Sequence, residues 1–223
     1  MIPYGTFTFF LIAFIVLIPV IILGFLGKRS YIYNGISTAI MIVIIFASDK
    51  HNLLGQKYLS AQLFCFIIYV IWQVALIMYY YQSRQKKNTF TKFVTIMVLS
   101  ILPLAIVKIL QSSWLGGHQI HFHESKLIEF VGFLGISYVT FKSVQLIMEI
   151  RDGSIKEIKV GKLIQFISFF PTISSGPIDR YKRFVKDDKK VPSGAEYREL
   201  VVKAIHMIML SLIHISEPTR QAE

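Results

Sequence analysis

Apolar residues run in long blocks along this chain, and short polar connectors separate the blocks. Uncharged or nearly uncharged stretches recur at about 7–27, 31–48, 58–81, 93–111 and 127–149. A helix rises about 1.5 Å per residue, so each block can cross a hydrocarbon layer about 30 Å thick. The first, "FTFFLIAFIVLIPVIILGFLG" (7–27), carries no charge. It is too long for the apolar core of a signal peptide, and the preceding "MIPYGT" lacks the basic residues a signal peptide begins with. A further helix opens in "SGAEYRELVVKAIHMIML" (193–210), where Ser193 and Glu196 have the spacing of a capping box. The pattern predicts an all-α, polytopic membrane protein of about five to six transmembrane helices.

One stretch breaks the pattern. "VGKLIQFISFF" (160–170) is too short to cross, and Pro171, Gly176 and Pro177 follow it at once. Unpaired backbone groups cost several kcal/mol in hydrocarbon, so irregular chain at depth must lie inside protein or beside a watery cavity. The segment near 163–178 therefore reads as a re-entrant or interfacial element, with Phe170 and Gly176 extended because each precedes a proline. A helix end at the membrane surface followed by a loop is the other reading. Residues 178–200, "IDRYKRFVKDDKKVPSGAEYREL", form the most polar long segment.

Loop charge then orients the chain, counting only Lys and Arg. The first, third and fifth loops hold ten: Lys28, Arg29, Arg84, Lys86, Lys87, Lys92, Arg151, Lys156, Lys159 and Lys162. The second and fourth hold three: Lys50, Lys57 and Lys126. The odd loops are predicted cytoplasmic and the N-terminus extracytoplasmic.

Composition changes this picture little. The chain has 223 residues, 54% of them hydrophobic, a formal net charge of +11 and a mean hydropathy of +0.56. In so apolar a chain the positive balance fits loops facing anionic lipid better than nucleic acid, and no nucleic-acid partner is expected. The single cysteine, Cys65, lies in "LFCFIIYVIW" and reads as a small buried hydrophobe.

Candidate chemistry concentrates in the fifth block. Tyr138, Lys142, Gln145 and Glu149 are spaced four, three and four apart, along one helix face. Lys142 lies about eight residues, roughly 12 Å, from the cytoplasmic end. An ionisable residue at that depth usually faces a bundle interior or cavity, the alternative being a lysine that snorkels to the interface. Such a polar wall and the broken segment 171–180 could line one hole. "HQIHFHE" (118–124) offers His118, His121 and His123, but a loop without a clear fourth ligand is expected to be solvated, and no metal site is predicted. "GFLGKRS" lacks phosphate-loop spacing, no G-x-S-x-G elbow is present, and Ser174 and Ser175 have no base placed near them. These residues alone do not choose between a transporter and an enzyme.

"FFPTISSGPIDRYKRF" (169–184) resembles the signature of the membrane-bound O-acyltransferase family, in which a Phe-Pro pair precedes Gly-Pro-Ile and a basic residue. "GISYVTFKSVQLIMEIRDG" (135–153) is similar to that family's Gly-x-Ser-aromatic helix, and the SSGPIDRY wording is nearest to members that D-alanylate teichoic acids. The resemblance implies that residues 1–210 form the N-terminal part of one transmembrane domain. It implies D-alanine delivered as a thioester on the phosphopantetheine arm of a small acidic carrier protein, with no cofactor bound directly. The carrier would dock at the cytoplasmic face, and the acyl group would pass through a tunnel toward teichoic acid or an intermediate. Lys142, Gln145, Pro171, Ser174, Ser175, Gly176, Pro177, Asp179 and Arg180 are the residues expected to line that tunnel.

The family's catalytic histidine is expected in a later membrane segment. Neither His206 nor His214 sits in a matching motif, so no catalytic residue is assigned and the chain is expected to be inactive alone. The tail "SLIHISEPTRQAE" (211–223) does not resemble the family and reads as foreign sequence joined at about Ser211. Two other functions stay open: a different polysaccharide O-acyltransferase of the family, and a non-catalytic transporter or scaffold. A transporter should show inverted repeats with paired breaks, and one break is visible.

Overall fold

Backbone N–H and C=O groups in an apolar block must find partners within the block, and the helix is the one open segment that pairs them all locally. The computed structural model of the chain follows that rule. It describes residues 7–28, 31–47, 57–86, 89–111, 135–155, 157–173, 179–189 and 192–220. Among them are the helices α1 (Phe7–Phe25), α2 (Tyr31–Ala47), α3 (Lys57–Lys86), α4 (Phe90–Gln111), α5 (Ile136–Arg151), α6 (Val160–Ile167), α7 (Tyr181–Lys189) and α8 (Gly194–Arg220). A 3₁₀ turn at Phe170–Thr172 follows α6, and the described residues contain no strand.

Two stretches, Gln62–Lys86 of α3 and Phe90–Ile109 of α4, are long and apolar enough to cross a membrane. The apolar stretches Leu11–Phe25 and Ile32–Phe46 are shorter. The helix α5 covers the second part of the expected fifth span, whose residues 127–134 lie outside the described ones.

The core is built around α5, which packs against both α3 and α4, while α6 packs against α3 and α5. Ile77 and Tyr80 of α3, Leu146, Ile147 and Ile150 of α5 and Leu163 and Ile167 of α6 are its buried centre. Cys65 is half-buried on the edge of this cluster.

A polar clamp crosses the core among the apolar side chains. Gln73 of α3 donates to the Ser100 backbone carbonyl at 3.0 Å, and the Ser100 hydroxyl donates back to Gln73 Oε1 at 2.8 Å. Gln73 also donates to the Tyr69 hydroxyl at 2.8 Å, which lies 2.6 Å from Thr140 Oγ1 of α5. Three helices are thereby held in register by groups that would be costly to bury unpaired.

The ends of α3, α4 and α5 gather basic groups. The Arg151 guanidinium lies over the Phe93 ring at 4.4 Å and the Phe90 ring at 5.7 Å, and Gly153 sits against Arg84. Elsewhere α8 docks on α1, with the Phe25 and Tyr197 rings edge to face at 5.2 Å. Gly194 allows this approach, since a Cβ there would fall 2.6 Å from the Phe25 carbonyl oxygen. The capping box at the start of α8 forms: Glu196 N–H donates to Ser193 Oγ, and Ser193 N–H donates to Glu196 Oε2. The backbone of α8 stays helical past Ser211 to Arg220.

Phe170 departs from expectation. It opens the 3₁₀ turn instead of being extended, because Thr172 N–H reaches the Phe169 carbonyl at 3.1 Å and Ile173 N–H the Phe170 carbonyl at 3.2 Å. The extended residue falls one position earlier, at Phe169 (φ −57°, ψ 108°).

Candidate functional site

Three short pieces of chain build the site: the middle of α5, the end of α6 with its 3₁₀ turn, and the start of α7. The helix α5 begins at Gly135, whose φ of 92° is a left-handed conformation that glycine adopts without strain. A Cβ on Gly135 would lie 2.8 Å from the Ile173 carbonyl oxygen, so the glycine also lets the broken segment approach the start of α5.

Lys142 is buried, with 2% of its surface exposed. It does not snorkel. Its ammonium donates to the Phe166 backbone carbonyl at 3.2 Å and to Thr172 Oγ1, and sits 5.5 Å from the centre of the Phe166 ring. Thr172 Oγ1 donates in turn to the Phe169 carbonyl at 3.0 Å, leaving a lone pair for the ammonium. The Asp179 carboxylate is within electrostatic reach of Lys142. It accepts the Arg180 backbone N–H at 2.8 Å and lies 3.9 Å from Arg183 Nε.

A cavity of about 230 Å³ opens between these groups, lined by Lys142, Phe166, Phe169, Thr172, Asp179 and Arg183, with Phe184 at its side. Aromatic packing holds its walls: Phe166 meets Tyr181 and Phe184 at 5.4 Å each, and Phe169 meets Phe184 at 5.7 Å. The wall thus mixes a fixed cation, a carboxylate and a guanidinium with aromatic faces. It suits binding and steering of a polar group beside an apolar one.

The structure brings some of the sequence-selected residues together and separates others. Lys142 and Asp179 share the cavity. Gln145 and Arg180 instead approach the enclosed Glu149 carboxylate, which also faces the Lys182 backbone N–H. Pro171 is exposed on the 3₁₀ turn. Ser174, Ser175, Gly176 and Pro177 lie outside the described residues, as do His118, His121 and His123. Among the described residues no three His, Cys, Asp or Glu side chains gather as a metal site.

Sequence reasoning passed over Thr172, Phe166, Phe169, Arg183 and Phe184, which line the cavity. The signal for Thr172 was weak, a single hydroxyl beside Pro171. A larger groove of about 580 Å³ between α2, α3 and α6 is almost wholly apolar, with Ser168 its polar residue.

No family model matches the chain. It is 44% identical over 215 residues to a teichoic acid D-alanyltransferase of Bacillus subtilis, an alignment covering 96% of this chain and 51% of the relative. It is 41% identical over 215 residues to the teichoic acid D-alanyltransferase of Lacticaseibacillus rhamnosus, covering 95% and 48%. It is 32% identical over 212 residues to that of Streptococcus thermophilus, covering 95% and 46%. Nearly the whole chain is therefore similar to the teichoic acid D-alanyltransferases, and it spans about half the length of the curated relatives it matches.

Proposed function

We propose that this chain is part of a membrane acyltransferase that transfers D-alanine toward teichoic acid in the Gram-positive cell envelope. The observation that carries the reading is the 44% identity sustained over 215 residues, nearly the full chain. The geometry supports it, because Lys142 from one motif-bearing stretch and Thr172 and Asp179 from the other, distant in sequence, line one cavity.

The proposal includes the finer features read from the motifs. The chain belongs to the membrane-bound O-acyltransferases and crosses the cytoplasmic membrane five to six times with its N-terminus outside. D-alanine arrives as a thioester on the phosphopantetheine arm of an acidic carrier protein at the cytoplasmic face. Complementary charge between that carrier and the basic loops speeds their encounter. The tunnel wall is Lys142, Gln145, Pro171, Ser174, Ser175, Gly176, Pro177, Asp179 and Arg180, with Thr172 and Arg183 added from the cavity. No residue here is assigned as general base, and the chain alone is proposed not to turn over.

The test is transfer of labelled D-alanine from a loaded acidic carrier to membranes of a strain lacking its own transferase. A full-length transferase carrying these residues should restore label in teichoic acid, and this chain alone should not. Restored growth without label in teichoic acid would point to another acceptor and overturn the reading.

A further inference from the structure

Beside the candidate cavity, α7 carries a second feature. Tyr181, Phe184 and Val185 turn inward onto the core, which leaves Lys182, Arg183, Lys186 and Asp187 on the exposed side. Arg183 is engaged by Asp179 at 3.9 Å and Asp187 at 3.7 Å, and Asp188 pairs with Lys162 of α6. Lys182 and Lys186 have no acidic partner among the described residues. They stand four residues apart, on one face of the helix.

These two lysines border a surface hollow of about 310 Å³ between α7 and the connector that follows α5. Its floor is apolar, made by Ile155, Val185 and Tyr181, and its rim holds Ser154 and Glu157. Glu157 faces Lys159 at 3.8 Å across an exposed pair. Two adjacent ammonium groups above an apolar floor match a ligand that is anionic at one end and hydrocarbon at the other. A free small anion has no use for the floor, and an extended acidic peptide has none for the hollow.

We infer that Lys182, Lys186 and the Ile155–Val185 floor form a binding site for the phosphate headgroup of an anionic membrane lipid. The inference rests on the proposed orientation, which puts α7 and the α5–α6 connector at the cytoplasmic leaflet. There the surface is negative, and each basic residue near it contributes about 1 kcal/mol. Bound lipid would pin α7, and through Phe184 the cavity wall, at a fixed depth.

The experiment places the purified chain in nanodiscs of phosphatidylcholine doped with phosphatidylglycerol and measures lipid retained after detergent exchange. Wild type is expected to enrich phosphatidylglycerol over phosphatidylcholine. K182Q and K186Q should each lower that enrichment about five-fold, which is about 1 kcal/mol. K203Q, on α8, should leave it unchanged. Equal retention by wild type and the K182Q/K186Q variant would overturn the site. So would displacement by equimolar glycerol phosphate, which would make it a free-phosphate site, or preferential binding of polyglutamate. None of these readouts involves D-alanyl transfer, so the site and the transferase reading can fail separately. Labelling Lys182 from the extracytoplasmic side would sink the orientation and with it the lipid site.

Discussion

The Lys142 ammonium caps the C-terminal end of α6 through the Phe166 carbonyl, 3.2 Å away. The last carbonyls of a helix have no partner within it, and that end carries partial negative charge. The Ile164 carbonyl is satisfied locally by Ser168, whose N–H lies 2.9 Å away and whose hydroxyl lies 2.5 Å away. Phe166 instead receives a cation from another helix. A lysine buried in the middle of α5 thus supplies a donor to the end of α6, four residues after which Pro171, lacking an N–H, could not continue the helix.

Lys142→Met keeps length and removes the charge, leaving the Phe166 carbonyl without its donor and Thr172 Oγ1 without its cation. A lost hydrogen bond to a charged group costs about 1.5–3 kcal/mol. A drop of that size in detergent thermal stability is expected, together with faster amide exchange across residues 168–173. Unchanged exchange there would mean that α6 terminates without the lysine.

The helices and the polar stripe on α5 were legible because both follow from spacing along one segment. Tyr138, Lys142, Gln145 and Glu149 needed only the helical repeat, and Ser193 with Glu196 needed only the capping pattern. The aim of each side chain was not legible. Lys142 and Gln145 share a face, yet Lys142 turns to Phe166 and Thr172 while Gln145 approaches Glu149. That choice depends on packing between α5 and segments 24 and 30 residues further on. The turn at Phe170 was missed for a related reason. The restriction before proline applies to Phe170, but the hydrogen bonds of the following turn move the extended residue back to Phe169.

Gln73 was passed over, although one amide amid "YVIWQVAL" was the available signal. Its side chain is fully buried and exchanges two hydrogen bonds with Ser100. Gln73→Leu should destabilise by about 1–3 kcal/mol, since Ser100 Oγ and the Tyr69 hydroxyl each lose a partner. Ser100→Ala should cost less, because the backbone carbonyl still accepts from Gln73. The Gln73→Leu/Ser100→Ala double variant should be milder than the sum of the two, and strict additivity in thermal melts would show the two residues to be independent.

Gly135→Ala introduces a Cβ at φ 92° and within 2.8 Å of the Ile173 carbonyl oxygen. The left-handed conformation alone costs about 1–2 kcal/mol, and the close approach adds to it. The expected result is a protein less stable by more than 2 kcal/mol, with local exchange raised both at the start of α5 and around Ile173. Exchange raised in α5 alone would show that the broken segment does not lean on Gly135.

The attachment of α7 to α6 combines an ion pair, Lys162 with Asp188, and the aromatic contacts of Phe184 with Phe166 and Phe169 at 5.4 Å and 5.7 Å. The two terms respond differently to salt. Both charged side chains are mostly covered, at 18% and 11% exposure, yet they sit near the protein surface where screening still acts. Asp188→Asn should therefore loosen α7 by about 1 kcal/mol at low salt and less at high salt. Phe184→Ala removes a half-buried ring from the cavity wall and should cost about 2 kcal/mol at either salt concentration. Amide exchange of α7 at two ionic strengths separates them. If Asp188→Asn proves the more damaging, charge and not aromatic packing holds the cavity wall, and high salt alone should then release α7 in the wild type.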